Sequence, residues 1–303
     1  MGTIDDWNQY WKENPDSKVL FTEDNGKSIS DFEQFWSQNI PNDTEMQSVI
    51  DIACGAGALF QSFGDKPFNR KVGLDCSTDA LNSLKKNVPD AQVILNKTSN
   101  LPKEKLLEFD FIVSQFGIEY LGVDAIKNMP TMMKEGSKFI ALCHYKDGHI
   151  YSRYKREKEG MESLFEIHAF ENALQIANLV ATDPNAYEKR AKQYLSHLST
   201  LDNKWCAGSL HFVNGIKQLF LSYKQYAHSD ILAWIKGFEQ QLGTIYRRVS
   251  AICDVALSTS DIRQITSGKY SDSWGVRPFL LKNKELPVAW NLRFNKRVNN
   301  EKA

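Results

Sequence analysis

Between Ser48 and Tyr145 short apolar runs alternate with amphipathic stretches. The runs are Val49-Ile50-Asp51-Ile52-Ala53, Val72-Gly73-Leu74, Val93-Ile94-Leu95, Phe109-Asp110-Phe111-Ile112-Val113 and Phe139-Ile140-Ala141-Leu142. Short, nearly continuous apolar strands separated by helical spacers predict a buried parallel sheet with crossover helices. The stretch after Asp75 fits this pattern. Ser77 or Thr78 can cap a helix whose Leu81, Leu84 and Val88 share a face, and Pro89-Asp90 ends it. Ahead of the strands, residues 1–47 read as helical and aromatic. Trp7, Tyr10 and Trp11 share one helical face, and a second helix capped by Ser30 carries Phe32, Phe35 and Trp36.

After residue 150 the strand signal vanishes. Ile167, Phe170, Leu174 and Ala177 form a helical stripe. Asp183-Pro184 starts a helix with Tyr187, Ala191, Tyr194 and Leu198, and Phe212, Ile216, Leu219 and Tyr223 mark a third. A fourth begins near Ser229 with Ile231, Ile235, Phe238, Leu242, Ile245, Val249, Ile252 and Ala256, a heptad stripe that suits either a subdomain core or a homodimer seam. Strand pattern returns at the end. Arg277–Leu281, a turn at Lys282-Asn283-Lys284-Glu285 and Pro287–Phe294 predict a β-hairpin. The expected organisation is an N-terminal helical segment (1–47), an α/β core (48–149), a helical cap (150–264) and a hairpin completing the sheet (265–303).

Composition narrows the class. Lys plus Arg equals Asp plus Glu at 37 each, which disfavours a general nucleic-acid binder. The N-terminus lacks a secretory h-region, and no apolar stretch approaches the roughly 20 residues of a membrane span. Five widely spaced cysteines without a C-x-x-C pair suit reduced thiols in the cytoplasm, and no cluster has metal-ligand spacing.

The candidate chemistry centres on Asp51-Ile52-Ala53-Cys54-Gly55-Ala56-Gly57, where a strand meets a short helix. Glycines there allow a sharp turn and close approach of a ligand, and the helix N-terminus adds free N–H groups. Asp75 follows Gly57 by 18 residues at the end of the next strand, where a carboxylate can accept both ribose hydroxyls. A dinucleotide site would place a third glycine at Phe60, and its pyrophosphate would be repelled by Asp51. A ligand with an ammonium, a sulfonium and a ribose suits this loop better.

The loop resembles motif I of class I S-adenosylmethionine-dependent methyltransferases, and Val72-Gly73-Leu74-Asp75-Cys76-Ser77 is similar to their motif II. Met133-Lys134-Glu135-Gly136-Ser137-Lys138-Phe139 resembles the turn into their fifth strand, and the terminal hairpin their last two strands. The resemblance covers roughly residues 48–145 and 270–296. It implies a seven-stranded, mostly parallel α/β sheet of order 3-2-1-4-5-7-6 with helices on both faces and the cap inserted between strands 5 and 6. It implies S-adenosyl-L-methionine as cofactor, bound by Asp51, Ala53, Cys54, Gly55 and Gly57, with Asp75 and Cys76 on the ribose side. Asn96, Thr98 and Gln115 complete that set. One departure is Lys97, which stands where the family often has an acid near the adenine amine.

Methyl transfer needs mainly proximity and orientation, and a general base only for a hydroxyl or a protonated amine. In the loop Ser114-Gln115-Phe116-Gly117-Ile118-Glu119-Tyr120, Glu119 is a candidate base, ammonium binder or helix-end acid. Phe116 and Tyr120 are candidate pocket walls. His144, at the end of the fifth strand, is a second candidate base. The run Arg153, Lys155, Arg156 and Lys158 suits either an anionic substrate or a solvated helix. The expected function is S-adenosylmethionine-dependent methylation of a small molecule on O or N. Rival readings are cyclisation or cleavage of the same cofactor, and a non-catalytic binding protein; nucleic acid is an unlikely partner. The cap is expected to enclose the substrate, with Tyr10 or Trp11 near the cofactor.

Overall fold

A computed structural model describes residues 3–15, 30–40, 47–63, 68–98, 100–201, 205–282 and 284–298. The expectations for Met1, Gly2, Ser99 and Asn283 lie outside these residues. The chain divides into two compact units, residues 152–253 and the remainder.

The sheet unit contains β1 (Ser48–Ile52), β2 (Arg70–Asp75), β3 (Gln92–Leu95), β4 (Phe111–Gln115), β5 (Lys138–His144), β6 (Trp274–Phe279) and β7 (Ala289–Asn295) in the order 3-2-1-4-5-7-6. Strands β1 to β5 pair in parallel, and β7 runs antiparallel to both β5 and β6. Its helices are α1 (Ile4–Glu13), α2 (Ser30–Asn39), α3 (Ala58–Gln61), α4 (Thr78–Asn87), α5 (Lys103–Leu106), α6 (Val123–Lys127) and α7 (Met129–Met132).

The alternation of each strand sorts the two faces. Ile50, Ile52, Ile112, Phe139, Ala141, Cys143, Leu292 and Phe294 form one core with Leu106, Ile126 and Met129. On the other face Phe32 and Phe35 of α2 pack on Phe279, and Leu84 of α4 fills the space above Gly57 and Gly73. β4 begins at Phe111 rather than Phe109 because Asp110 turns back to β1. Its Oδ2 accepts from the backbone N–H of Gln47 (3.1 Å) and Ser48 (3.0 Å) and from Ser48 Oγ (2.6 Å). α4 starts as read, with Ser77 Oγ accepting from Ala80 N at 3.1 Å.

The helical unit is built from α8 (His149–Glu166), α9 (Ala169–Thr182), α10 (Pro184–Ser199), α11 (Ala207–Leu221) and α12 (His228–Val255), its helices taken over residues 152–253. Phe170, Ala177, Tyr187, Phe212, Ile216, Ile231, Ile235, Leu242 and Val249 are buried together, so the stripe on α12 is filled by the unit's own side chains. Tyr223 lies in a short 3-10 turn after α11, not within it. The last helix, α13 (Thr259–Ile265), belongs to the sheet unit, where Ile262 and Ile265 join the core. The division therefore falls near 152 and 253, against the 150 and 264 read from pattern. The hairpin is shifted likewise: β6 starts at Trp274 and β7 at Ala289, against Arg277 and Pro287.

Candidate functional site

The glycine loop leaves β1 at Asp51, which is 2% exposed and flanked by Gly73 of β2 and Val113 of β4. Ala53, Gly55 and Gly57 all take positive φ (57°, 53° and 89°), and Gly57 N donates to Cys54 O at 3.0 Å. Cys54 is buried and ties the loop to β2 through its N–H to Leu74 O (3.1 Å). Asp75 braces the turn from the neighbouring strand. Its Oδ2 accepts from Gly55 N (2.9 Å) and its Oδ1 from Ser77 N (2.8 Å).

Two acids thus sit buried beside one loop. Burial, then the nearby Asp75 charge, pushes the Asp51 carboxyl well above its usual range. Burial also raises Asp75, against the backbone N–H groups of Ser77, Gly55 and Cys76. The Cys76 thiol is pushed up to about 11, by burial and then by Asp75. A site that makes carboxylates costly wants a cation, which fits an ammonium and a sulfonium. Asn96 and Thr98 form a turn of their own. Asn96 Nδ2 donates to Thr98 O (3.2 Å) and Asn100 O (3.0 Å), and Thr98 Oγ1 donates to Asn96 Oδ1 (3.0 Å). The Asn96 amide is therefore committed to the loop.

α1 seats against this loop. The Trp11 indole occupies the space a Cβ at Gly55 would need, and Ser77 Oγ donates to Asn8 Oδ1 (2.7 Å). Trp7 meets Tyr120 edge-on at 5.4 Å. Asn8 and Trp36, whose Nε1 donates to Gln115 Oε1, are site neighbours that pattern reading misses, since each reads only as part of an amphipathic helix.

The ends of β4 and β5 carry the other candidates. Gly117 packs so close to Ile52 and Ala53 that a side chain would collide. Ser114 Oγ donates to Ile52 O (2.8 Å) and accepts from Ile118 N (3.0 Å), which fixes the turn holding Glu119. Glu119 and His144, separate candidates in sequence, are brought together. Glu119 Oε1 lies 2.7 Å from His144 Nδ1 and accepts from the His144 N–H at 2.9 Å. Glu119 is 2% and His144 4% exposed. Phe116, at φ 54°, sets its ring 4.5 Å from the imidazole. Lys155 and Lys158 of the basic run pair along their own helix with Glu159 (4.0 Å) and Glu162 (3.9 Å).

Residues 49–136 match the family model of a methyltransferase domain. The match spans the glycine loop and Asp75, and the sheet order is the one that the motif resemblance implies. No curated protein matches the chain. Among solved structures, DesVI of Streptomyces venezuelae is similar at 24% identity over 39% of this chain and 50% of its own, with a TM-score of 0.31. An S-adenosylmethionine-dependent methyltransferase from Clostridium acetobutylicum gives 23%, 39%, 50% and 0.31. One from Listeria monocytogenes gives 18%, 38%, 55% and 0.33. The chain spans about half the length of these structures. No helix among the described residues is long and apolar enough to cross a membrane.

Proposed function

We propose that this protein methylates a hydroxyl of a small molecule, with His144 as general base and Glu119 as its positioning residue. The observation that carries the reading is the buried 2.7 Å contact of Glu119 Oε1 with His144 Nδ1. A carboxylate there holds the imidazole proton on Nδ1 and leaves Nε2 free to accept one. Glu119 Oε1 is taken by the His144 backbone N–H and ring, which makes Glu119 the positioning residue, while its buried Oε2 has no partner. The ligand crevice of an open α/β sheet lies at the carboxyl ends of its strands, and His144 ends the strand next to β4 there.

When bound, S-adenosylmethionine supplies a methyl group already activated by its sulfonium. Asp75 would hold the ribose, and Asp51, Gly55 and Gly57 would face the methionine end; backbone groups near Thr98 would take the adenine. A chain of zero formal net charge, with five widely spaced cysteines and no C-x-x-C pair, supports a cytoplasmic, small-molecule enzyme over one acting on nucleic acid. A homodimer through α12 has less support, because the stripe is already packed.

Release of S-adenosylhomocysteine should be measured with paired acceptors such as 4-hydroxybenzoate and 4-aminobenzoate. The hydroxyl form should react faster, and His144→Gln should lower turnover by about 10²–10⁴ with cofactor affinity unchanged. Full turnover in His144→Gln, or preference for the amine, sinks this reading. Methylthioadenosine in place of methylated product would favour cofactor cleavage instead.

A further inference from the structure

The sheet face beneath α2 carries a polar group that methyl transfer does not use. On β7, Asn291 and Arg293 alternate with Trp290, Leu292 and Phe294, so both project away from the aromatic core. Asn291 is 1% exposed. Its Oδ1 accepts from Arg293 Nε at 3.1 Å. Its Nδ2 and Arg293 Nη2 are buried donors with no acceptor. Arg277 on the edge strand β6 is the direct cross-strand neighbour of Asn291. Burial, and then the Arg277 charge, holds Arg293 below the usual arginine range. The Phe35 ring, 5.6 Å from the Arg293 guanidinium, closes one side. No carboxylate among the described residues pairs with either arginine.

Native folds rarely leave buried donors unmatched, and each such group calls for a reason. Two of them beside two like charges form a cradle that lacks one component, an anionic acceptor. A water molecule would satisfy Asn291 Nδ2 but would leave the cationic repulsion in place. We propose that this edge of the sheet binds a carboxylate or phosphate group between Arg277, Arg293 and Asn291. Paired guanidinium forks match the planar or trigonal oxygens of such groups, and the buried amide adds a donor that selects acceptors. The group arrives either on the methyl acceptor or as a separate anion. Asn291 lies opposite Leu142, two residues below His144 on the same face. An acceptor reacting at His144 would therefore place its anionic end about 7 Å along the strand. That arm rests on the His144 reading; binding of the anion does not.

Melting in sodium phosphate against sodium chloride of equal ionic strength tests the site. Phosphate should raise Tm by a few degrees more than chloride, and Arg277→Gln and Arg293→Gln should abolish the difference. Arg277 is exposed on an edge strand, so its variant folds even if loss of the stacked Arg293 does not permit folding. Asn291→Asp gives Arg293 an internal carboxylate, and should raise Tm in chloride while erasing the phosphate increment. Equal shifts of the parent protein in both salts overturn the proposal, as does an increment that survives Arg277→Gln or Asn291→Asp. Calorimetric titration of 4-hydroxybenzoate then separates the sources. Displacement of 4-hydroxybenzoate by phosphate assigns the group to an acceptor, and phosphate binding without displacement assigns a free anion.

Discussion

Asp51 is held where its charge is costly, at the buried end of β1 beside Asp75. A carboxyl with a folded pKa above its unfolded value binds more protons in the folded state. Its contribution to stability is therefore full below the unfolded value and is lost as pH rises through the folded one. At neutral pH the ligand-free protein carries that loss, and a cationic ligand offsets it. Asp51→Asn should accordingly raise Tm at pH 7, with the gain shrinking as pH falls into the carboxylate range. The same variant should bind S-adenosylmethionine more weakly. A gain that is flat with pH, or affinity that does not change, rejects this account. Asp51, Gly55, Gly57 and Asp75 are legible in sequence because strand, turn and helix fix them locally. The Glu119–His144 pair is not, since the partners are 25 residues apart and meet only once β4 and β5 are in register. Asn291 and Arg293 carry no motif in sequence; their setting appears only in the fold, where Asn291 is buried and Phe35 of α2 packs on the Arg293 guanidinium.

At the scale of elements, the strand runs are visible in sequence because parallel strands buried on both faces are apolar throughout. Their ends are less so, because side chains such as Asp110 set them through contacts to another strand. α8 is obscured for the opposite reason. Its first turns carry Arg153, Lys155, Arg156 and Lys158, which read as charge rather than as a stripe. α1 is legible through its aromatic face, but its seat is a tertiary fact. Its Thr3–Asp6 capping box fixes the start, and Trp11 lies on Gly55. Gly55→Ala should be costly twice, once for a left-handed φ, about 1–2 kcal/mol, and again for collision with the indole. Trp11→Ala removes only the second cost. In a double-mutant cycle the two changes should couple by about 0.5–3 kcal/mol, the pair being less damaging than the sum. Additive losses would show that α1 does not rest on the glycine loop.

Among the described residues each unit has an apolar core of its own, one on the sheet and one closed by Leu164, Phe170, Tyr187, Phe212, Ile231 and Leu242. The second includes buried hydroxyls satisfied within it, Tyr187 Oη to Phe220 O (2.9 Å) and Tyr194 Oη to Ala169 O (2.8 Å). A unit with its own apolar core can unfold in its own transition. The residues proposed to hold the cofactor, Asp51, Gly55, Gly57 and Asp75, all belong to the sheet unit. S-adenosylhomocysteine in 100-fold excess over its Kd stabilises the form that binds it by about 2.7 kcal/mol. For a unit of this size that corresponds to about 5–10 °C in Tm. Calorimetry should therefore resolve two transitions, of which the ligand moves one. Asp75→Ala should cancel that shift and leave the other transition at its original temperature. A single transition that moves as a whole with ligand would show that the units unfold together and would refute the independence of the two cores.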